Sequence, residues 1–192
     1  QRQMCIRDRD TNKVAVDAIN KGEIHIIEPN LDIYVKEAVS KGLLKAYSST
    51  QPADIYIICV PTPFHSNDGI PNPNIDYIKE ATLSIAPIVK SGDMIILEST
   101  SPVGTTNYIQ SILREDNGVD NIYIGYCPER VLPGKILKEL INNDRVIGGV
   151  DKSSTKAISN FYKSFVEGEI LETNAKTAEM CKLTENSFRD VN

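Results

Sequence analysis

Strand-sized apolar runs alternate along this chain with segments of helical periodicity. The nearly continuous apolar run over residues 54–60 is followed by a helical pattern over 76–90, and a second apolar run covers 94–97. Continuous apolar runs of this length are typical of parallel strands buried on both faces. Because the connections are short and the two element types alternate, the pattern predicts an α/β fold with a doubly wound parallel sheet.

The same rhythm covers the rest of the chain, with the exception of its first residues. Further helices are predicted over residues 12–21, 31–41, 105–113, 154–166 and from 175 onward, and further strands over 122–126, 145–149 and 169–171. Asn12 and Gly22 suit the cap and the stop of the first of these helices. Residues 1–9 carry three arginines and show no apolar period, so we expect a disordered or foreign leader there, without a strand.

Both ends of the chain suggest an incomplete fold. The eleven glycines never form the G-x-G-x-x-G pattern, so the sheet is expected to lack its first strand and Gly-rich turn. The last helical pattern reaches Asn192 without a Gly, Pro or basic stop signal. We therefore expect a fragment of a larger protein, long enough for one domain and a piece of a second.

Charge and cysteine content exclude several kinds of function. The chain has 21 Lys and Arg against 26 Asp and Glu, a net charge of −5, and its basic residues are scattered, so no nucleic-acid or membrane partner is expected. Four widely spaced cysteines without a C-x-x-C pair favour reduced thiols and a cytoplasmic location. Two histidines are too few for a zinc centre or a Ser-His-Asp triad, so no metal site is expected.

The first candidate binding residues follow the first two apolar runs, because ligands of a doubly wound sheet bind outside the carboxyl ends of its strands. Pro61-Thr62-Pro63 is either a stiff turn or a row of carbonyls and one hydroxyl that face a ligand. Ser99 and Thr100 are candidates for a polar ligand. Thr105 and Thr106 are better suited to capping the helix that follows.

Two charged residues follow the strand predicted at 122–126. Glu129 and Arg130 are adjacent there, either as an exposed ion pair or as a carboxylate for proton transfer beside a guanidinium that holds an anionic substrate group. Cys127 precedes them. No histidine stands near it in sequence to activate the thiol, so we do not expect a catalytic cysteine at this position.

The last helical segment carries a polar face made of Glu179, Lys182, Asn186 and Arg189, at i, i+3, i+7 and i+10. A solvated face is the simplest interpretation of this spacing. The alternative is a functional one, because the ammonium of Lys182 and the amide of Asn186 lie one turn apart and suit the stabilisation of a developing oxyanion.

Four motifs, in this order, resemble those of the UDP-glucose/GDP-mannose dehydrogenase family. They cover residues 60–63, 98–106, 127–135 together with 144–149, and 178–186. The third motif reads Glu-Arg-Val-Leu-Pro-Gly where UDP-glucose dehydrogenases have Glu-Phe-Leu-x-Glu-Gly. This form is most similar to the branch of the family that acts on UDP-N-acetyl-D-mannosamine.

The resemblance implies a Rossmann-like NAD domain and an NAD-dependent, four-electron oxidation. The C6 hydroxymethyl group of a UDP-sugar would become a carboxylate, most simply UDP-N-acetyl-D-mannosamine giving UDP-N-acetyl-D-mannosaminuronate for polysaccharide precursors. Alternatives are a sibling 6-dehydrogenase for UDP-GlcNAc, UDP-glucose or GDP-mannose, and a non-catalytic nucleotide-binding module. The family's catalytic cysteine would lie beyond Asn192, so the 192-residue polypeptide is expected to be inactive alone.

The resemblance also implies roles for individual residues. Lys182 would be an acid/base or oxyanion group, Glu129 a carboxylate for the hydrolytic half, and Asn186 a further catalytic residue. The cofactor-binding positions would be Asp10, Val60, Thr62, Ser99 and Thr100. The substrate-binding positions would be Arg130, Val131, Lys182, Asn186 and Arg189.

The organisation implied by the family has three parts. Residues 1–9 would be the leader, 10–173 the NAD-binding domain without its first strand and Gly-rich turn, and 174–192 the start of a central, dimer-forming helix. The full-length protein would then be a homodimer or a higher homo-oligomer.

Overall fold

A computed structural model describes residues 4–24, 26, 28–67, 70–132 and 134–191. The strands are β1 (Ile6–Arg9), β2 (Leu44–Tyr47), β3 (Ile55–Ile58), β4 (Phe64–Asn67), β5 (Ile70–Pro73), β6 (Met94–Leu97), β7 (Tyr123–Tyr126), β8 (Arg145–Gly149) and β9 (Ile170–Asn174). The helices are α1 (Lys13–Asn20), α2 (Leu31–Ser40), α3 (Asp76–Ile85), α4 (Thr105–Asn117), α5 (Ile136–Asn142), α6 (Lys152–Tyr162) and α7 (Ala175–Val191). Within these ranges, no helix has the length and apolar character needed to cross a membrane.

The chain divides into two compact units. Unit 1 comprises Gln1–Ala53 and Val131–Leu140, and unit 2 comprises Asp54–Arg130 and Ile141–Asn192.

Unit 1 contains a small parallel sheet of β1 and β2, in which Ile6 lies opposite Leu44. The first helix begins as predicted, because the side chain of Asn12 accepts a hydrogen bond from the Val14 amide at 3.0 Å. Gly22 then ends this helical segment with a φ of 77°, a left-handed conformation that glycine adopts without strain.

The prediction of a structureless leader is wrong for Ile6–Arg9, which forms β1. This strand is mostly exposed and carries two arginines and an aspartate, so it has no apolar period that could reveal it. What orders the segment is its backbone pairing with β2, a strand that the sequence patterns also missed.

A buried carboxylate ties the two stretches of unit 1 together. Glu28 is 6% exposed and accepts hydrogen bonds from the backbone amides of Gly134 at 2.7 Å and Ile136 at 2.8 Å. These amides lie at the beginning of α5, where helical N–H groups have no partner within the helix. Pro133, at which the third motif departs from UDP-glucose dehydrogenases, is outside the described residues.

Unit 2 is built around a five-stranded sheet of order β3-β6-β7-β8-β9. Three successive residues of the interior strand β6, Ile95, Ile96 and Leu97, are completely buried, as expected for a strand covered on both faces. The β3–β6, β6–β7 and β8–β9 pairs are parallel, which confirms the predicted α/β class and its mostly parallel sheet.

Two features of unit 2 differ from the sequence prediction. The β7–β8 pair is antiparallel. The sequence did not reveal this, because an apolar run predicts burial but not the direction of the strand. The segment after Pro63, for which the sequence predicts no strand, forms the antiparallel hairpin of β4 and β5 with Phe64 opposite Pro73. Its side chains are largely polar, so the strand pairing leaves no hydrophobic signature.

Candidate functional site

The carboxyl ends of β3 and β6 are joined by the hydroxyl of Ser99. It accepts a hydrogen bond from the Val60 amide at 2.8 Å and donates one to the Val60 carbonyl at 2.8 Å. The structure therefore brings together two of the predicted cofactor-binding residues, and Ser99 supports the strand ends with a hydroxyl already bonded to protein. Thr62 and Thr100 follow the same two strand ends and are half-buried.

The rigid segment between β3 and the hairpin has a structural role as well. The Pro63 carbonyl accepts a hydrogen bond from the Asn74 amide at 2.8 Å, which closes the base of the β4–β5 hairpin. For Pro63, this hydrogen bond supports the interpretation of Pro61-Thr62-Pro63 as a stiff turn.

Asp10, the remaining predicted cofactor residue, lies in unit 1 directly after β1. One of its carboxylate oxygens accepts a hydrogen bond from the Asn12 amide at 2.7 Å, at the N-terminal end of α1. An acidic side chain that follows a parallel strand and precedes a helix is suited to accept hydrogen bonds from ribose hydroxyl groups.

Lys182 and Glu129, the predicted catalytic pair, are in direct contact. Lys182 is 8% exposed, and its Nζ donates a hydrogen bond to the Glu129 carbonyl at 2.8 Å. The Glu129 carboxylate accepts a hydrogen bond from the Arg130 amide at 2.7 Å. Its other oxygen lies 3.8 Å from Nη1 of Arg145, a buried residue of β8 that the sequence patterns did not single out.

The surroundings of Lys182 favour its neutral form. Burial lowers the pKa of the Lys182 amine, and the nearby carboxylate of Glu185 partly opposes this effect. An amine with a lowered pKa releases and takes up a proton more readily near neutral pH than an exposed lysine does.

Glu129 and Arg130 each have a charged partner on another element. The Arg130 guanidinium makes a bidentate contact with Glu185 of α7, with Nη2 2.8 Å from Oε1. Neither of the two interpretations drawn from the sequence included Glu185. The sequence signal was present, because Glu185 lies one turn after Lys182 on the same helix.

Asn186 and Arg189 lie further along α7 and contact each other. Asn186 Oδ1 accepts a hydrogen bond from Arg189 Nη2 at 2.8 Å, and Arg189 is exposed. Val131 belongs to unit 1 and is half-buried there.

Glu179 is completely buried, so a solvated face is the wrong interpretation for it and for Lys182. Its carboxylate accepts hydrogen bonds from the amides of Gly104 at 2.6 Å and Thr106 at 2.8 Å, and from the Thr106 hydroxyl at 2.6 Å. The N-cap residue of α4 is Gly104, whose φ of 102° is left-handed, and it has no side-chain cap. Capping by Thr105 or Thr106 is therefore replaced by a carboxylate from α7.

Near Glu129 lies a hydrogen-bonded group centred on the Glu98 carboxyl group. The Tyr162 hydroxyl and the Cys59 thiol both donate hydrogen bonds to the Glu98 carboxyl group. Burial raises the pKa of Glu98, and burial together with the charge of Glu98 raises the pKa of Cys127 to about 12. Cys127 therefore remains a thiol at neutral pH, and its lack of a catalytic role stays a prediction.

Replacing Glu98 by glutamine is expected to flatten the pH dependence of stability. A carboxyl group whose pKa is raised by folding contributes stability at low pH and loses it as the pH rises through the folded-state pKa. Between about pH 4 and pH 8, Glu98→Gln should therefore lose less free energy of unfolding than the parent, by on the order of 1 kcal/mol. Urea unfolding at both pH values measures this difference, with the substitution of exposed Glu80 on α3, Glu80→Gln, as the control. Equal losses of unfolding free energy in the parent and in Glu98→Gln would contradict the prediction.

Comparison with known proteins places these residues in a family context. The family described as "UDP-glucose/GDP-mannose dehydrogenase family, NAD binding domain" matches residues 2–166, which include the segment predicted to be a foreign leader. The chain is 50% identical over 193 residues to the UDP-N-acetyl-D-mannosamine dehydrogenase of Campylobacter jejuni, covering 95% of this chain and 47% of that protein. It is 47% identical over 201 residues to the NDP-N-acetyl-D-galactosaminuronic acid dehydrogenase of Ralstonia nicotianae, covering 100% and 47%.

A solved structure gives the same result for the fold. The UDP-D-ManNAc dehydrogenase of Pyrococcus horikoshii superposes with a TM-score of 0.92 at 39% identity, covering 98% of this chain and 46% of that one. The chain thus spans about half the length of the relatives it matches.

Proposed function

This chain belongs to the UDP-glucose/GDP-mannose dehydrogenase family, and from that premise we propose that it serves the NAD-dependent oxidation of the C6 hydroxymethyl group of a UDP-sugar. We propose UDP-N-acetyl-D-mannosamine as the substrate and UDP-N-acetyl-D-mannosaminuronate as the product. The relatives named above support the class of substrate. The observation that carries the proposal is the buried amine of Lys182, held 2.8 Å from the Glu129 carbonyl and next to the Glu129 carboxylate.

The strand-end residues fit the proposed cofactor. The hydroxyls of Thr62 and Thr100 supply uncharged donors and acceptors after the carboxyl ends of β3 and β6, and the contacts between Val60 and Ser99 hold these strand ends together. Asp10 supplies a carboxylate at the end of β1, which suits ribose hydroxyls. When bound, NAD would accept the hydride that leaves the sugar carbon.

The chain's own residues would manage the proton and the charge at the sugar oxygen. Loss of the hydroxyl proton places negative charge on the oxygen attached to C6, and this charge is used to form the C=O bond as the hydride leaves; Lys182 can accept that proton and stabilise the charged oxygen. The amide of Asn186 is proposed as a second donor to this oxygen, and Arg189 as a cation for the anionic part of the substrate. Glu129 is proposed as the base of the later hydrolytic step, and the family positions extend substrate contact to Arg130 and Val131.

The test of this proposal is NADH production by the complete polypeptide that the gene encodes. UDP-N-acetyl-D-mannosamine, UDP-GlcNAc, UDP-glucose and GDP-mannose are compared at equal concentration, with NADH followed by absorbance. We expect the highest kcat/KM for UDP-N-acetyl-D-mannosamine, with two NADH formed per sugar. A higher kcat/KM for another sugar would transfer the proposal to that sibling activity. NAD binding without NADH formation from any sugar would instead indicate a nucleotide-binding module.

We also propose that α7 packs against a second copy of the protein and that the protein acts in the cytoplasm. Met180 and Phe188 of α7 are 53% and 72% exposed, and exposed apolar side chains of this size favour burial at an interface. All four cysteines are free thiols, which suits a reducing compartment. Sedimentation velocity on the complete polypeptide tests the first statement.

A further inference from the structure

An ion pair connects the loop that follows β7 to helix α7. The Arg130 Nε lies 3.1 Å from each oxygen of the Glu185 carboxylate, and Nη2 lies 2.8 Å from Oε1. Both side chains are about two-thirds buried, with 32% and 38% exposed. A bidentate guanidinium–carboxylate contact fixes orientation as well as distance, which a single hydrogen bond does not.

Arg130 is also held by its other polar groups. Its Nη1 donates to the Asp144 carbonyl at 3.3 Å, and its own carbonyl accepts a hydrogen bond from Asn143 Nδ2 at 3.1 Å. The guanidinium therefore uses all three of its nitrogens on protein acceptors. These contacts use at least one N–H group on each nitrogen and leave others of the five guanidinium N–H groups for a further acceptor.

The ion pair and the Lys182 contact together form a closed ring of interactions. Lys182 lies one turn before Glu185 on α7, and its Nζ bonds to the carbonyl of Glu129, the residue before Arg130. The loop is thus attached to the helix at two points one helical turn apart. Movement at either point changes the geometry at the other.

We propose that Arg130 and Glu185 are positioning residues that clamp the loop after β7 to α7 and so fix the Lys182 amine beside Glu129. This positioning role comes in addition to the substrate contact proposed for Arg130. Its catalytic meaning rests on the proposed function, whereas the clamp itself does not.

The clamp also places two opposite charges near Lys182, and these have opposite effects on the pKa of its amine. The charged groups that face the amine are Glu185 and Arg189 on α7 and Glu129 and Arg130 on the loop, with Arg145 of β8 beyond Glu129. Glu185 raises the pKa of Lys182, and Arg130 lowers it, against the larger lowering caused by burial. Because the two clamp charges act on this pKa in opposite directions, removing each charge alone should shift the pKa of Lys182 in opposite directions.

The experiment measures the acetylation rate of Lys182 by acetic anhydride in the 192-residue chain, using mass spectrometry at about pH 8. Exposed Lys176 on the same helix is the internal reference. Glu185→Gln removes the anion and should make Lys182 about threefold more reactive, since more of it is neutral. Arg130→Met should make it about threefold less reactive, and the double variant should return close to the parent.

A loosened site would give a different pattern. If the two residues only supported local packing, both variants would loosen the site and expose Lys182, so both would change its reactivity in the same direction. Acetylation rates of Lys182 that change in the same direction in both single variants, or that change by less than about 1.5-fold, would overturn the proposal. Arg130→Gln replaces Arg130→Met if the latter loses its helical circular dichroism.

Kinetics of the complete polypeptide then connect the clamp to the reaction. The loss of kcat/KM in the double variant should not exceed the larger of the two single losses, because both substitutions break the same contact; additive losses would count against the clamp. The labelling experiment requires neither NAD nor sugar. Absence of NADH formation would therefore contradict the proposed function and leave the labelling result intact. NADH formation without the expected labelling pattern would contradict only the clamp.

Discussion

Replacing Glu179 by alanine is expected to lower the free energy of unfolding by about 3 kcal/mol. The carboxylate is completely buried and accepts hydrogen bonds from two backbone amides and the Thr106 hydroxyl. Without it, three donors lose their acceptor in a place where water has little access. The first turn of α4 also loses the negative charge that offsets the helix dipole.

Glutamine at the same position should cost less, about 1 to 2 kcal/mol, because its carbonyl oxygen still accepts but its amide nitrogen faces a donor. Urea unfolding gives the global loss. Hydrogen exchange at the Gly104 and Thr106 amides gives the local one, and protection there should fall before it falls in β6. Glu80→Ala, on the exposed side of α3, should change stability by less than about 0.5 kcal/mol. A Glu179→Ala variant as stable as this control would refute the account of α4 given above.

Replacing Lys182 by methionine in the complete polypeptide is expected to reduce kcat by about 10²- to 10⁴-fold, the range for loss of a proton-transfer group. Methionine has a similar length and suits the buried site, so the fold should be retained. KM for the sugar should change much less, because the amine acts on charge that develops only as the reaction proceeds.

Lys182→Arg should be nearly as inactive as the methionine variant. A guanidinium stays protonated at any working pH, and its planar fork cannot place one nitrogen where Nζ bonds to the Glu129 carbonyl. Lys176→Met, on the exposed face of the same helix, should retain full activity. The catalytic role of Lys182 would be untenable if kcat of Lys182→Met stayed within threefold of the parent.

Elements whose own residues determine their conformation were predicted well from the sequence. Met94–Leu97 has the predicted bounds, because four consecutive apolar residues require burial on both faces and little else in the chain competes for that place. Strand β1 was missed for the opposite reason. Its side chains are polar and exposed, and its order comes from backbone pairing with a distant strand.

The site divides in the same way. Lys182 and Glu129 could be found from motif positions, and the structure places them in contact. The partners of the two acidic residues that support them, Glu179 and Glu185, could not. Helical periodicity puts Glu179 and Lys182 on one face but does not say whether that face meets solvent, and here it meets the beginning of α4. Glu185 is similar, since its partner Arg130 is far away in sequence.

Unit 1 is built from two separate stretches of the chain, and this affects when its contacts can form during synthesis. A ribosome delivers Glu28 long before it delivers Gly134 and Ile136, the residues whose amides bind the Glu28 carboxylate. Until those amides emerge, the carboxylate must stay hydrated, because burying it unpaired costs several kcal/mol, of the order seen for isolated ions. The Glu28 contact can therefore form only after β7 has been synthesised, because Gly134 and Ile136 follow β7 in the chain.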